Sequence, residues 1–135
     1  MGDKAPLVKT YMCPVEPVAT PANDLTTELL EVEFAGTITE VGYIPVAAIT
    51  GVATNTRKVS VVNAGSAGSG STEAAALQFD SGVNAAAHDK KVITLSGTST
   101  NLVVAAGDVL KWVSLHVGTG IADPGGAVIV KIARS

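Results

Sequence analysis

The chain has 135 residues, a formal net charge of −3 and a pI near 5.2, with 47 % apolar residues but only 4 % aromatic ones. That length has room for one domain and little more. The acidic balance argues against nucleic acid, which needs a clustered basic face, and no run approaches the roughly 18 apolar residues of a membrane span. Aromatic side chains bury the most area per residue, so a core with Phe34, Tyr43, Phe79 and Trp112 as its large members is thin. Small domains already bury a modest share of their surface; association with copies of itself or with a larger surface is therefore expected.

Residues 1–30 differ from the remainder. Pro6, Pro14, Pro17 and Pro21 recur among Leu7, Val8, Tyr11, Met12, Val15 and Val18. Prolines at this spacing prevent a helix and remove ladder donors, which favours extended chain, whereas a disordered linker would be poorer in apolar residues. The expectation is an extended, sticky arm over residues 1–30, reaching on the order of 80–100 Å, followed by a folded domain over 31–135. Cys13 is the single cysteine, so no intrachain disulfide forms. The first residues, Met1-Gly2-Asp3-Lys4, open no apolar stretch of a secretory signal, and Pro6 stands where myristoylation wants Ser or Thr. A soluble protein made in a reducing cytoplasm is expected.

From Lys9 to Arg57 no basic residue intervenes, while Glu16, Asp24, Glu28, Glu31, Glu33 and Glu40 all fall there. This acidic belt suits either a basic partner or a solvated face. Asn23-Asp24 offers a cap for a short helical turn through Leu29, and Leu30, Val32 and Phe34 alternate as in a strand; strand from about Val32 is preferred. Residues 37–44 (TITEVGYI) continue as a strand ending at Pro45. Residues 57–63 (RKVSVVN) form a further strand, followed by a Gly/Ser loop at 64–72. Residues 73–81 give another, with Leu77 and Phe79 opposite Gln78 and Asp80. Short strands follow at 92–95 and 102–104. The runs ITGVATN at 49–55 and LSGTSTN at 95–101 echo each other, as a shared turn geometry or a duplication.

Residues 103–132 organise the rest: two strands face each other across a glycine-rich connection. Leu110, Trp112, Ser114 and His116 share one face of the first, and Val128, Val130 and Ile132 share one face of the second. Gly118-Thr119-Gly120 and Asp123-Pro124-Gly125-Gly126 break the chain between them. Seven or eight short strands with frequent turn signals indicate an all-β fold, a small β-sandwich or barrel with jelly-roll-like wiring.

No constellation carries catalysis. The loop at 65–70 lacks the Gly-Lys-Ser/Thr ending of a phosphate loop and no helix follows it. His88 and His116 have no convergent ligand set and no poised nucleophile, and no serine stands in a G-x-S-x-G elbow. Glu31 and Glu33 would share a strand face about 7 Å apart, a separation that suits glycosidase carboxylates. Sugar-stacking aromatics are lacking, however, because Trp112 is the one tryptophan. Trp112 reads as the anchor of the core; exposed, it would mark a carbohydrate-binding module. No enzyme activity, metal or cofactor is expected.

The runs RKVSVVNAGSAGSGSTEAAALQFDSGVNA and ITLSGTSTNLVVAAGDVLKWVSLHVGTGIADPGGAVIVKI resemble the small head decoration (head fibre) proteins of tailed bacteriophages, over about residues 38–133. The most telling pieces are Ala106-Gly107-Asp108-Val109-Leu110, then Trp112-Val113-Ser114, and Gly118-Thr119-Gly120 leading into Asp123-Pro124-Gly125-Gly126. The resemblance implies a structural virion protein made in a bacterial host. It would sit as a homotrimer on the capsid exterior, clamping neighbouring major capsid subunits, without nucleic acid or membrane as partner. The arm, outside the resemblance, would supply the capsid contact by strand addition, through Leu7, Val8, Tyr11, Met12, Val15 and Val18. The rival expectation is an adhesive, receptor- or carbohydrate-binding module on the virion, using the loops at 64–72 and 118–126.

Overall fold

A computed structural model describes residues 7–135. Two antiparallel sheets pack face to face as a small β-sandwich. The first sheet runs β1 (Val8–Val15), β10 (Gly126–Arg134), β3 (Gly36–Pro45) and β6 (Lys91–Val92), with β8 (Val103–Val104) on the start of β3. The second runs β2 (Leu25–Glu31), β9 (Val109–Val117), β4 (Thr56–Asn63), β5 (Thr72–Gln78) and β7 (Thr94–Leu95). Successive strands β1 to β4 alternate between the sheets, and β9 and β10, last in sequence, each lie inside a sheet. This is jelly-roll wiring.

The expected pair at the C-terminal end forms as two strands that face each other across the core without being hydrogen-bonded neighbours. β9 pairs with β2 and β4, and β10 pairs with β1 and β3. The glycine-rich connection therefore carries the chain from one sheet to the other. The anticipated faces are the buried ones: Leu110, Trp112 and Ser114 from β9, and Val128, Val130 and Ile132 from β10. Trp112 and Tyr43 meet with ring centroids 5.1 Å apart and planes tilted by 53°, a tilted contact of the kind aromatic pairs prefer. Phe79 is fully buried, and Phe34 is half-buried against the same cluster.

Three expectations need correction. First, residues 8–30 are not an arm separate from the domain, and residue 30 is not a boundary. β1 pairs with β10 along its whole length, β2 pairs with β9, and Val15 and Val18 are buried. The prolines are compatible with this because Pro14, next to last in β1, turns its nitrogen away from β10, where no donor is needed, and Pro17 and Pro21 lie in the connection to β2. Second, the strand after Asn23-Asp24 starts at Leu25, not Val32, and no helical turn forms. Val32 follows the strand and is buried, its N–H donating to the Asp108 carbonyl at 2.7 Å. Third, residues 92–95 are two pieces. β6 pairs with β3 and β7 with β5, while Ile93 between them is buried. The chain crosses between sheets within these few residues. The two echoing runs also part company: the first bridges Ile49 to Ala85, the second enters a 3-10 turn at Ser99–Leu102.

Candidate interaction face and its buried polar anchor

The two outer surfaces of the sandwich differ in chemistry. On the first sheet, strand alternation turns Val128, Val130 and Ile132 inward, so Ala127, Ile129, Lys131 and Ala133 point outward. The registers then align outward residues in rows across β1, β10, β3 and its neighbours. One row is Met12, Ile129, Gly42 and Val92; a second is Pro14, Ala127 and Ile44; a third is Val8, Ala133, Thr37 and Val103. Met12 is 64 % exposed, Val103 58 %, Val92 55 % and Val8 50 %, while Ile129 between Met12 and Val92 is covered. One polar row interrupts them, Thr10, Lys131 and Glu40, where Glu40 accepts from Lys90 at 2.7 Å and lies 3.6 Å from Lys131. The ammonium partners hold the Glu40 carboxyl below its usual range. On the second sheet the corresponding surface mixes paired charges with apolar residues, among them Leu115 and Val117 at 38 % and 36 % exposed. Lys58 meets Glu73 at 3.0 Å, and Glu28 stands opposite Lys111.

The six residues expected to touch a partner divide by the pleat. Leu7, Val8 and Met12 are exposed. Tyr11 points inward from β1 with its hydroxyl buried and unpartnered, beneath the Lys9 ammonium 5.2 Å from its ring centre. Val15 and Val18 belong to the core. Trp112 is 1 % exposed and offers no face on which a sugar could stack. Glu31 closes β2, whereas Glu33 lies beyond it and takes both of its contacts from Lys9, at 2.7 and 2.8 Å.

A second arrangement, not anticipated from the sequence, holds the two sheets and their connections in register. Arg57 on β4 is 1 % exposed. Its Nε donates to the Ile121 carbonyl at 2.6 Å, and its terminal nitrogens donate to Ser114 Oγ at 3.1 Å and to the carbonyls of Pro21 and Asn23 at 2.8 and 3.0 Å. Ser114 donates on to Asp123 Oδ2 at 2.7 Å. Asp123, also buried, takes the Tyr43 hydroxyl and the Gly125 N–H on its other oxygen. Buried charges are tolerated when paired and hydrogen-bonded, and this guanidinium has an acceptor on each side. Burial pulls the Arg57 pKa down while the Asp123 and Asp24 charges oppose it. Burial, then the Asp123 charge, raises the Tyr43 phenol well above its ordinary range.

The connections meet this network through close backbone approach. Val18 and Asp123 exchange both backbone hydrogen bonds, at 2.8 and 2.9 Å. Gly120 has φ +75°, and a Cβ there would lie 2.1 Å from the Pro21 carbonyl oxygen. Glycine at this position lets the β9–β10 connection lie against the β1–β2 connection and present Pro21 to Arg57. Beside it, Asp24 Oδ1 accepts from the His116 N–H at 2.8 Å and contacts His116 Nδ1 at 2.6 Å; these bonds hold the Asp24 carboxyl below its usual range. His116 thus closes a loop. His88 has a left-handed backbone, φ 59°, in an exposed turn.

The signal for Arg57 was available in the alternation: Arg57, Val59 and Val61 are in phase opposite His116, Ser114 and Trp112. No group of three or more His, Cys, Asp or Glu side chains able to hold a metal ion occurs among the described residues. No family model, curated protein or solved structure matches this chain.

Proposed function

We propose that this chain is a structural virion protein that seats on the outside of a bacteriophage capsid and stabilises the shell by clamping neighbouring major capsid subunits. The observation that carries this reading is the asymmetry of the sandwich. One outer surface mixes paired charges with the less exposed Leu115 and Val117, while the other sets Val8, Met12, Val92 and Val103, each at least half exposed, in apolar rows. Exposed apolar rows rimmed by polar groups mark interaction surfaces. The apolar sheet face is the docking surface in this proposal, in place of a free arm. The resemblance adds a homotrimer as the assembled form. Several copies on one lattice bind with raised effective concentration, and a ligand specific to the assembled shell opposes its disassembly.

The test is to mix the purified protein with undecorated expanded capsids and locate added density by electron microscopy. Density on the outer surface, lost with Met12→Asp and Val92→Asp together, is the expected result. Native protein that leaves the shells bare would overturn the proposal; undiminished binding by the double variant would overturn the docking face.

A further inference from the structure

The open edge of β1 has a pattern that fits a copy of itself. The Arg134 N–H donates to the Leu7 carbonyl at 2.8 Å, and the β1–β10 register then runs from Val8 to Val15 without a break. Antiparallel pairs alternate in the direction of their backbone bonds. Lys9, Tyr11, Cys13 and Val15 therefore bond to β10, while the N–H and C=O groups of Val8, Thr10 and Met12 aim away from the sheet. Pro14 is next in that phase and has no N–H to present. In the sequence, prolines stand at positions 6 and 14, four residues on either side of Thr10.

We infer that two copies of this chain pair antiparallel through their β1 edges about a twofold axis at Thr10. In that register Thr10 faces Thr10 of the partner subunit, and Val8 faces Met12 of the partner subunit, giving about six ladder bonds. The pairing is self-complementary, as a twofold contact must be. The outward side chains that become cross-strand neighbours, Val8, Thr10 and Met12, are uncharged, and Thr–Thr and apolar neighbours stabilise such pairs. Natural sheets guard open edges with charge or proline. Here the one charged residue of β1, Lys9, turns to the inner side and is matched by Glu33. Lys9 would face Tyr11 of the partner subunit, the residue type whose ring it already overlies. Pro14 ends the ladder and limits it to a short, reversible contact. The inference is independent of the capsid reading, and it describes a twofold contact, distinct from the threefold one that the resemblance implies.

The experiment is sedimentation of the full chain, free of any capsid, across about 1–100 µM, the range of a micromolar contact. A monomer–dimer equilibrium is expected. Thr10→Lys sets like charges opposite each other at the axis and weakens the dimer by about fivefold. Thr10→Pro removes both central donors and weakens it by on the order of tenfold or more. Because the Thr10 side chain and N–H point away from the fold, thermal unfolding of the Lys variant, measured below the dimer range, stays that of the native chain. Amide exchange at Val8, Thr10 and Met12 slows as protein concentration rises. A chain still monomeric at about 100 µM would overturn the inference, leaving the edge to a strand from a different protein. A trimer indifferent to both variants would overturn it as well.

Discussion

Arg57 and Asp123, from different parts of the sandwich, are joined by one hydroxyl: Ser114 accepts from the guanidinium and donates to the carboxylate. Two buried charges in a low-dielectric interior are tolerated when every intermediate hydrogen bond is made. Ser114→Ala removes the joint and leaves Arg57 and Asp123 each with a lost partner. It is expected to lower unfolding stability by about 2–4 kcal/mol, measured by urea titration. Ser114→Thr, which keeps the hydroxyl, is expected to lose less.

Arg57→Met retains much of the side-chain volume but leaves the carbonyls of Ile121, Pro21 and Asn23 and the Ser114 hydroxyl without their donor, and the Asp123 charge without its counter-charge. A loss of about 3–5 kcal/mol follows, the usual result of breaking a buried pair from one side. Adding Asp123→Asn removes the orphaned charge, so the double variant is expected to be more stable than the sum of the two single losses predicts. A double-mutant cycle by chemical denaturation measures that coupling; simple additivity would show that the bridge carries no coupling energy.

Trp112→Ala removes the largest core side chain, packed on Tyr43. The expected cost is about 3–5 kcal/mol. Because Trp112 is the only tryptophan, native fluorescence reports on it alone: emission is blue-shifted and resists iodide quenching until the chain unfolds. Ready quenching in the native state would contradict its burial.

Stability depends on pH at both ends. The Asp24 carboxyl is held low in the fold, first by the His116 backbone N–H and then by its ring. In the window between its folded and unfolded pKa the unfolded chain binds more protons, so this contribution is present above the unfolded value of about 3.9 and is lost as pH falls through the folded one. Asp24→Asn is expected to flatten the acid limb of a stability–pH curve. At the alkaline end the sign reverses. The Tyr43 phenol is raised by burial and by Asp123, so its contribution is complete below the unfolded value of about 10 and lost as pH rises toward the folded one. Ultraviolet titration is expected to show Tyr43 ionising only together with unfolding, and Tyr43→Phe to remove that coupling.

Much of the sandwich could be seen in alternation. The phases of Leu110, Trp112 and Ser114, and of Val128, Val130 and Ile132, are visible as period-two patterns, and they are buried as expected. The first strand was hidden by its proline and by those that follow it. Pro14 argues against a strand only if its missing donor faces a neighbour, and which edge of β1 meets β10 is settled by the partner, not by local sequence. Arg57 was hidden for a similar reason. Its phase with Val59 and Val61 points inward, but a charge there makes sense only once Ser114, Asp123 and two connections arrive from distant parts of the chain. The outer-face rows likewise exist only after four strands are in register.

β1 has β10 as its pairing partner, and β10 spans residues 126–134. β1 therefore leaves the ribosome long before β10 and must wait for it before its backbone bonds can form. Until then Cys13 and Val15 on the inward side of β1 and the inward face of β3 remain adhesive surfaces without a companion, the situation in which nascent all-β chains depend on holding chaperones. A chain that stopped before residue 126 would thus lack the strand that holds β1 and β3 together, and it would go to proteolysis instead of assembly.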